Sequence, residues 1–233
     1  MRLPPLHPGT LIRRYQRFLA DAQLDGGERV TAHCPNTGSM LGLNAPGSRV
    51  WLSAADKPGR KLAWTWELAE AGPGVPVGVH TGRANGLVRE ALLAGLLPEL
   101  SGFTAIRAET RTGAHSRIDL QLVYNDRIAW VEVKNVTAAV RGGSGYFPDA
   151  VSTRAVRHLD ELSQRVRAGD RAVLVFCVQR HDVRQVRPAD HIDPAFGHAL
   201  RQAVGHGVEL YALGARVSPE RIELERRLAI GLD

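Results

Sequence analysis

Between Arg117 and Asn135 two strand-like apolar runs flank a short polar turn. The runs are Arg117-Ile118-Asp119-Leu120-Gln121-Leu122-Val123 and Ile128 to Asn135, and the turn is Asn125-Asp126-Arg127. Such runs about a tight turn predict an antiparallel hairpin. The constraint on the fold comes from where the charges fall. Asp119 interrupts the first run, and Glu132 and Lys134 interrupt Trp130-Val131-Glu132-Val133-Lys134 in the second. Strand side chains alternate, so Glu132 and Lys134 project from one face while Val131 and Val133 take the other. The hairpin then brings two carboxylates and an ammonium to one patch. The lysine is unusual here: of 30 cationic side chains only Lys57, Lys61 and Lys134 are lysine, the rest arginine.

The surrounding texture divides the chain in two. Leu11 to Ala22 fits either a strand or a helical stripe, and Asp25-Gly26-Gly27 turns into a strand at Glu28 to Cys34. Further strands are predicted at Arg49 to Ser53, Lys61 to Glu67 and Val75 to His80. Five short strands in about 80 residues suggest a small closed β-barrel. Gly82 to Gly86 marks the change. Asn85 is placed to cap a helix from Gly86 to Leu97, stopped by Pro98. Strands follow at Phe103 to Arg111, Arg117 to Tyr124 and Ile128 to Asn135. Gly142-Gly143-Ser144-Gly145 then leads to a helix from Ser152 to Ala168, a strand at Arg171 to Val178, a helix at Pro194 to Gly205 and a β pair at Val208 to Leu213 and Arg221 to Glu225. The expectation is a barrel over residues 1–82 and an α/β domain of order αβββαβ over residues 83–233.

Phosphodiester hydrolysis builds negative charge on a group that is already anionic. Carboxylates on adjacent strands can hold Mg²⁺ or Mn²⁺, and a lysine can orient water or stabilise the developing charge. Asp119 and Glu132 are the candidate metal ligands, with Lys134 as the assisting cation. Glu90 flanks the apolar stripe of the first helix, from which it could add a fourth group. A glutamate two residues before a lysine is common by chance; the placement of the carboxylates in apolar strand centres and the αβββαβ order around them strengthen the signal.

Longer strings carry a resemblance. Leu11-Ile12-Arg13-Arg14-Tyr15-Gln16-Arg17-Phe18-Leu19-Ala20, Thr31-Ala32-His33-Cys34-Pro35-Asn36-Thr37-Gly38-Ser39-Met40, Ser116-Arg117-Ile118-Asp119, Val131-Glu132-Val133-Lys134-Asn135-Val136-Thr137, Phe147-Pro148-Asp149-Ala150-Val151 and His158-Leu159 are similar to the sugar fermentation stimulation protein A family. The resemblance spans almost the whole chain. It implies an N-terminal OB-fold and a C-terminal domain like the PD-(D/E)xK nucleases, with the nuclease-like motif at Asp119, Glu132 and Lys134. It also implies DNA binding and a role in regulating sugar catabolism such as maltose metabolism. Gln16 departs from the pattern where a lysine is expected.

The net charge of +6 favours a polyanionic partner. Arg13, Arg14, Tyr15 and Arg17 on a barrel strand offer either phosphate contacts with a stacking platform, or an amphipathic strand with its aromatics in the core. Arg60, Lys61, Trp64 and Trp66 pose the same alternative. Arg154 and His158 lie one helical turn apart, either bordering a DNA groove or on a solvated face. The glycine-rich segment 142–145 reads as a mobile loop beside the groove, and His33-Cys34-Pro35-Asn36 as a structural turn with a buried thiol. His181, His191, His198 and His206 lack zinc-ligand spacing and are expected at the surface. Cys34 and Cys177 have no spacing partners, which argues for a reducing, cytoplasmic setting. No apolar run reaches membrane-spanning length and Met1 to Arg14 does not read as a signal peptide.

Overall fold

The computed structural model describes residues 1–55, 61–111, 117–140 and 142–233. The first six strands are β1 (Leu6–Tyr15), β2 (Leu19–Leu24), β3 (Arg29–His33), β4 (Arg49–Ala54), β5 (Trp64–Glu70) and β6 (Pro76–Gly78). The order β3-β2-β1-β4-β5 closes on itself because β3 also pairs with the start of β5, in parallel. Closure leaves the five strands without free edges, the OB-fold solution for a small β domain. Leu11, Met40, Leu43, Leu52 and Trp66 fill its interior. Leu11 to Ala22, open to two readings, is therefore a hairpin, with Gln16 and Arg17 at positive φ in its tip.

The rest of the chain builds on α1 (Ala84–Leu93), β7 (Ala105–Arg111), β8 (Arg117–Val123), β9 (Ile128–Val136), β10 (Ala139–Val140), β11 (Ser144–Phe147), α2 (Thr153–Arg167), β12 (Arg171–Val178), β13 (Gln185–Pro188), α3 (Pro194–Gly205), β14 (Glu209–Val217), β15 (Ile222–Arg227) and β16 (Ala229–Ile230). The main sheet runs β15-β14-β12-β9-β8-β7, with β12 parallel to both β9 and β14. Leu87, Val88, Ala91 and Leu92 of α1 pack on one face. Leu159 and Leu162 of α2 with Phe196 and Leu200 of α3 cover the other. Both faces being covered, the β12 run Ala172 to Val178 is apolar throughout.

Two local expectations are corrected. Asn85 lies inside α1 and does not cap it; the helix ends at Leu93, where Gly95 at φ 74° closes it before Pro98 is reached. Segment 142–145 is not a loop at the acid patch. Ser144 and Gly145 enter β11 of a second sheet, β10-β11-β13-β16, which the sequence pattern did not foretell. Gly142 and Gly143 border a separate hollow with Arg180 and Asp182.

The two units are tied together at their joint. Arg83 forks onto Glu67 of β5 with both contacts at 2.7 Å, and Thr81 Oγ1 donates to the Pro35 carbonyl at 2.6 Å. Gly78 N–H donates to Gln179 O at 2.8 Å.

Candidate functional site

The register explains the site. β8 and β9 pair from Val123↔Ile128 to Leu120↔Val131 and no further. Beyond that point the Asp119 side chain takes the place of a ladder partner: Oδ2 accepts the Val133 N–H at 2.8 Å. Asp119 Oδ1 accepts from Asn85 Nδ2 of α1 at 2.9 Å. Thus the residue expected to cap the helix orients the first acid.

Glu132 and Lys134 face α2. Lys134 Nζ donates to Glu132 Oε1 at 2.7 Å and lies 3.1 Å from His158 Nδ1. His158 Nδ1 also contacts Glu132 Oε1. Arg154 Nε donates to His158 Nε2 at 3.3 Å, which leaves the ring proton on Nδ1, directed at Glu132. A chain Arg154–His158–Glu132–Lys134 results. His158 is buried, so the reading of it as a solvated surface residue is overturned. The signal was present, since Ala155, His158, Leu159 and Leu162 form one inward stripe of α2.

Electrostatics separate the two acids. Burial, then the neighbouring Glu132 charge, push the Asp119 carboxyl above its ordinary value against the bonds from Val133 and Asn85. Burial pushes Glu132 up as well, but the bonds from His158 and Lys134 outweigh it and hold that carboxyl below the usual range.

A cleft of about 480 Å³ opens over this patch, between barrel and sheet. Asp119, Lys134, Asn135 and Asn85 lie on its α/β side, and Arg17, Asn36, Thr37 and Gly38 on its barrel side. Residues 146–152 complete the rim. Glu132 lies behind Lys134, its side chain only 3% exposed. Asp149 ties rim to barrel: Oδ2 accepts the Met40 N–H at 2.9 Å, and its carbonyl accepts from Ser39 Oγ.

The other candidates scatter. Glu90 is not brought to the patch; it is exposed and pairs with the Met1 ammonium at 2.6 Å. Arg13 and the Tyr15 hydroxyl both bind Asp21, on the barrel surface. Arg14 donates to the carbonyls of Arg17, Asn36 and Gly38, bracing the loop. Arg17 alone of that group lines the cleft. Lys61 and Arg154 are exposed and outside the cleft lining. Trp66 lies in the barrel core, its Nε1 donating to Leu68 O at 2.8 Å, while half-buried Trp64 packs edge-on against His7. Cys34 is buried in the expected turn. Arg60 and Ser116 lie outside the described residues.

The donor set suits a hard cation. Among the described residues no group of three or more His, Cys, Asp and Glu side chains comes together as a metal cage. Asp119 and Glu132 are the carboxylates that could hold an oxygen-seeking cation here.

Comparison with known proteins places this architecture. The family model described as "SfsA N-terminal OB domain" matches residues 12–79, and the one described as "Sugar fermentation stimulation protein RE domain" matches residues 82–221. A sugar fermentation stimulation protein homolog of Alkalilimnicola ehrlichii is 60% identical over 230 residues, 97% of each chain. A homolog of the same name from Geobacter metallireducens is 56% identical over 232 residues, 99% of each. The structure of Pyrococcus furiosus SfsA in complex with Ca²⁺ superposes with a TM-score of 0.89 at 29% identity, covering 99% of this chain and 98% of that one. The chain belongs to the sugar fermentation stimulation protein family.

Proposed function

We propose that this protein binds DNA in the cleft between barrel and α/β domain, largely without reading its sequence, with a divalent cation at Asp119 and Glu132. The observation that carries the reading is the meeting of Asp119 and Lys134 at the floor of a cleft whose opposite wall carries Arg17. Arg17 and Lys134 supply phosphate contacts, which position a backbone and carry no sequence information. The Ca²⁺ bound by the Pyrococcus furiosus relative supports a cation here; Mg²⁺ or Mn²⁺ suits the same oxygens. When bound, such an ion neutralises the acid pair and lowers the pKa of a coordinated water. The chain's own part is to fix the ligands: Asn85 and the Val133 N–H hold Asp119, and His158 and Lys134 hold Glu132. The test is DNA affinity measured by fluorescence anisotropy in Ca²⁺ across a salt series. A steep linear fall of log affinity with log salt is expected. Affinity independent of salt refutes the reading.

A second reading, a Mg²⁺- or Mn²⁺-dependent nuclease, is favoured by Lys134. Its side chain is 11% exposed, the ammonium held against Glu132, and it is still part of the cleft lining, where it can stabilise charge on a phosphate oxygen. Divalent-dependent strand cleavage that is lost in Lys134→Ala while binding persists supports this; cleavage surviving in Glu132→Ala marks a contaminant. The role in sugar catabolism, including maltose, is proposed from family membership. A cytoplasmic setting is proposed from the free thiols of Cys34 and Cys177. No helix of the described residues is long and apolar enough to cross a membrane.

A further inference from the structure

We infer that the DNA entering this cleft is single-stranded, and that an intact duplex is kept from Asp119 and Lys134. The inference rests on the DNA-binding reading above and adds the substrate class. Size is the first observation. At about 480 Å³ the cleft falls within the roughly 300–1,000 Å³ range of small-molecule sites. It is a slot for a short stretch of one strand.

Depth is the second. Lys134 lines the cleft with a side chain only 11% exposed, so the patch is a floor and not a surface ridge. A backbone phosphate reaches such a floor only if its neighbours can follow it in. In a duplex those neighbours are paired and stacked, and extracting one nucleotide costs a few kcal/mol; in a single strand that cost is nearly absent.

The third observation is that the slot cannot widen cheaply. Its barrel wall is tied to the α/β wall by Met40 N–H on Asp149 Oδ2, Ser39 Oγ on Asp149 O, and Thr81 Oγ1 on Pro35 O. Arg14 stiffens the same barrel loop through the Asn36 and Gly38 carbonyls. Gly38 is seated so closely on Asp149 that a Cβ there would overlap its carboxylate. Opening for a duplex breaks these contacts together.

The fourth is the offer of ring faces. Half-buried Tyr146 belongs to the cleft lining, and Phe18, 47% exposed, adjoins the lining residue Arg17 at the tip of the β1–β2 hairpin, whereas the Phe147 ring is turned into the core against Phe176 and Phe196. Base–aromatic stacking needs the base faces that a single strand presents and a duplex hides.

The experiment uses the full chain in Ca²⁺ and fluorescein-labelled oligonucleotides of one sequence, presented as a single strand, a blunt duplex and a duplex with a single-stranded overhang. The single strand and the overhang substrate should bind about tenfold or more tighter than the blunt duplex, given the unstacking cost. Thr37→Glu and Val151→Glu, placed on exposed residues of opposite rims, narrow the slot and repel phosphate without touching the core. Each should lower single-strand affinity by a similar factor while thermal unfolding is unchanged; if one fails to fold, the other serves. Blunt duplex binding as tight as single strand overturns the inference and leaves DNA binding standing. Single-strand affinity untouched by both obstructing variants overturns it too, since the strand then lies elsewhere. Binding to none of the three substrates overturns the DNA reading itself, and this inference with it.

Discussion

Arg83→Met tests how firmly the barrel is held to the α/β domain. Glu67 is 3% exposed, and its carboxylate takes Arg83 Nε and Nη2 at 2.7 Å each, with Ser53 Oγ at 2.8 Å. Methionine keeps the aliphatic stem and removes the guanidinium, leaving the buried Glu67 carboxylate without its forked cation while the Ser53 hydroxyl stays in place. Breaking a buried pair from one side costs about 3–5 kcal/mol. Arg83 is 19% exposed, so solvent reaches the edge of the pair and the lower end, about 3 kcal/mol, is expected. For a chain of this size that corresponds to a fall in Tm of about 6–12 °C. Adding Glu67→Leu removes the stranded charge, and the double variant should return to within about 1 kcal/mol of the parent. Calorimetry and urea unfolding read both values. A single variant that loses less than about 1 kcal/mol, or a double variant no more stable than the single, refutes the reasoning, because neither fits the stranding of a buried carboxylate.

Neighbouring arginines should separate structure from binding. Arg14→Ala strips donors from three carbonyls and should cost about 2 kcal/mol of stability, whereas Arg17→Ala should leave unfolding within about 0.5 kcal/mol and lower the salt slope of DNA binding by about 1. Glu209 gives a pH signature. Burial raises its carboxyl, but Arg171 and the Tyr211 hydroxyl overcome this and hold it below the ordinary value of 4.5. A depressed acid adds stability above its unfolded pKa and loses it as pH falls through the folded one. Glu209→Gln should therefore flatten the acid limb of the stability curve below about pH 4.5 and cost about 1 kcal/mol at neutral pH, kept small by solvent screening. Burial alone pushes the Cys177 thiol up to about 12, so a thiol reagent at pH 8 should modify it only as fast as the chain unfolds.

How far the sequence could be read depended on the range of the interactions. Local pattern was enough for the strands that bury both faces and for α3, which begins at Pro194 as expected; the structure adds a cap, Asp193 Oδ1 accepting the Phe196 N–H at 3.0 Å. It was enough for Glu132 and Lys134 too, because alternation on one strand is a local fact. It misplaced Glu90, since a helix flank does not reveal which neighbour it meets, and here that neighbour is the chain's own amino terminus. It undervalued His158, whose inward position was visible but whose partner lies 26 residues away on β9. Asn85 was read by the nearest rule, helix capping, while its side chain is used by Asp119 on another element. The tie from Asp149 to residues 39 and 40 spans more than 100 positions and has no sequence signature. Without it the cleft could not be read from the barrel and the sheet separately.

We propose that Asp119 and Glu132 together hold one divalent cation beside Lys134. Calorimetric titration of Mn²⁺ into the full chain, with Asp119→Ala and Glu132→Ala alongside, tests it directly. Saturable binding to the parent is expected, weakened by at least about tenfold in each variant. Equal binding by the parent and both variants, or none by the parent, would contradict it.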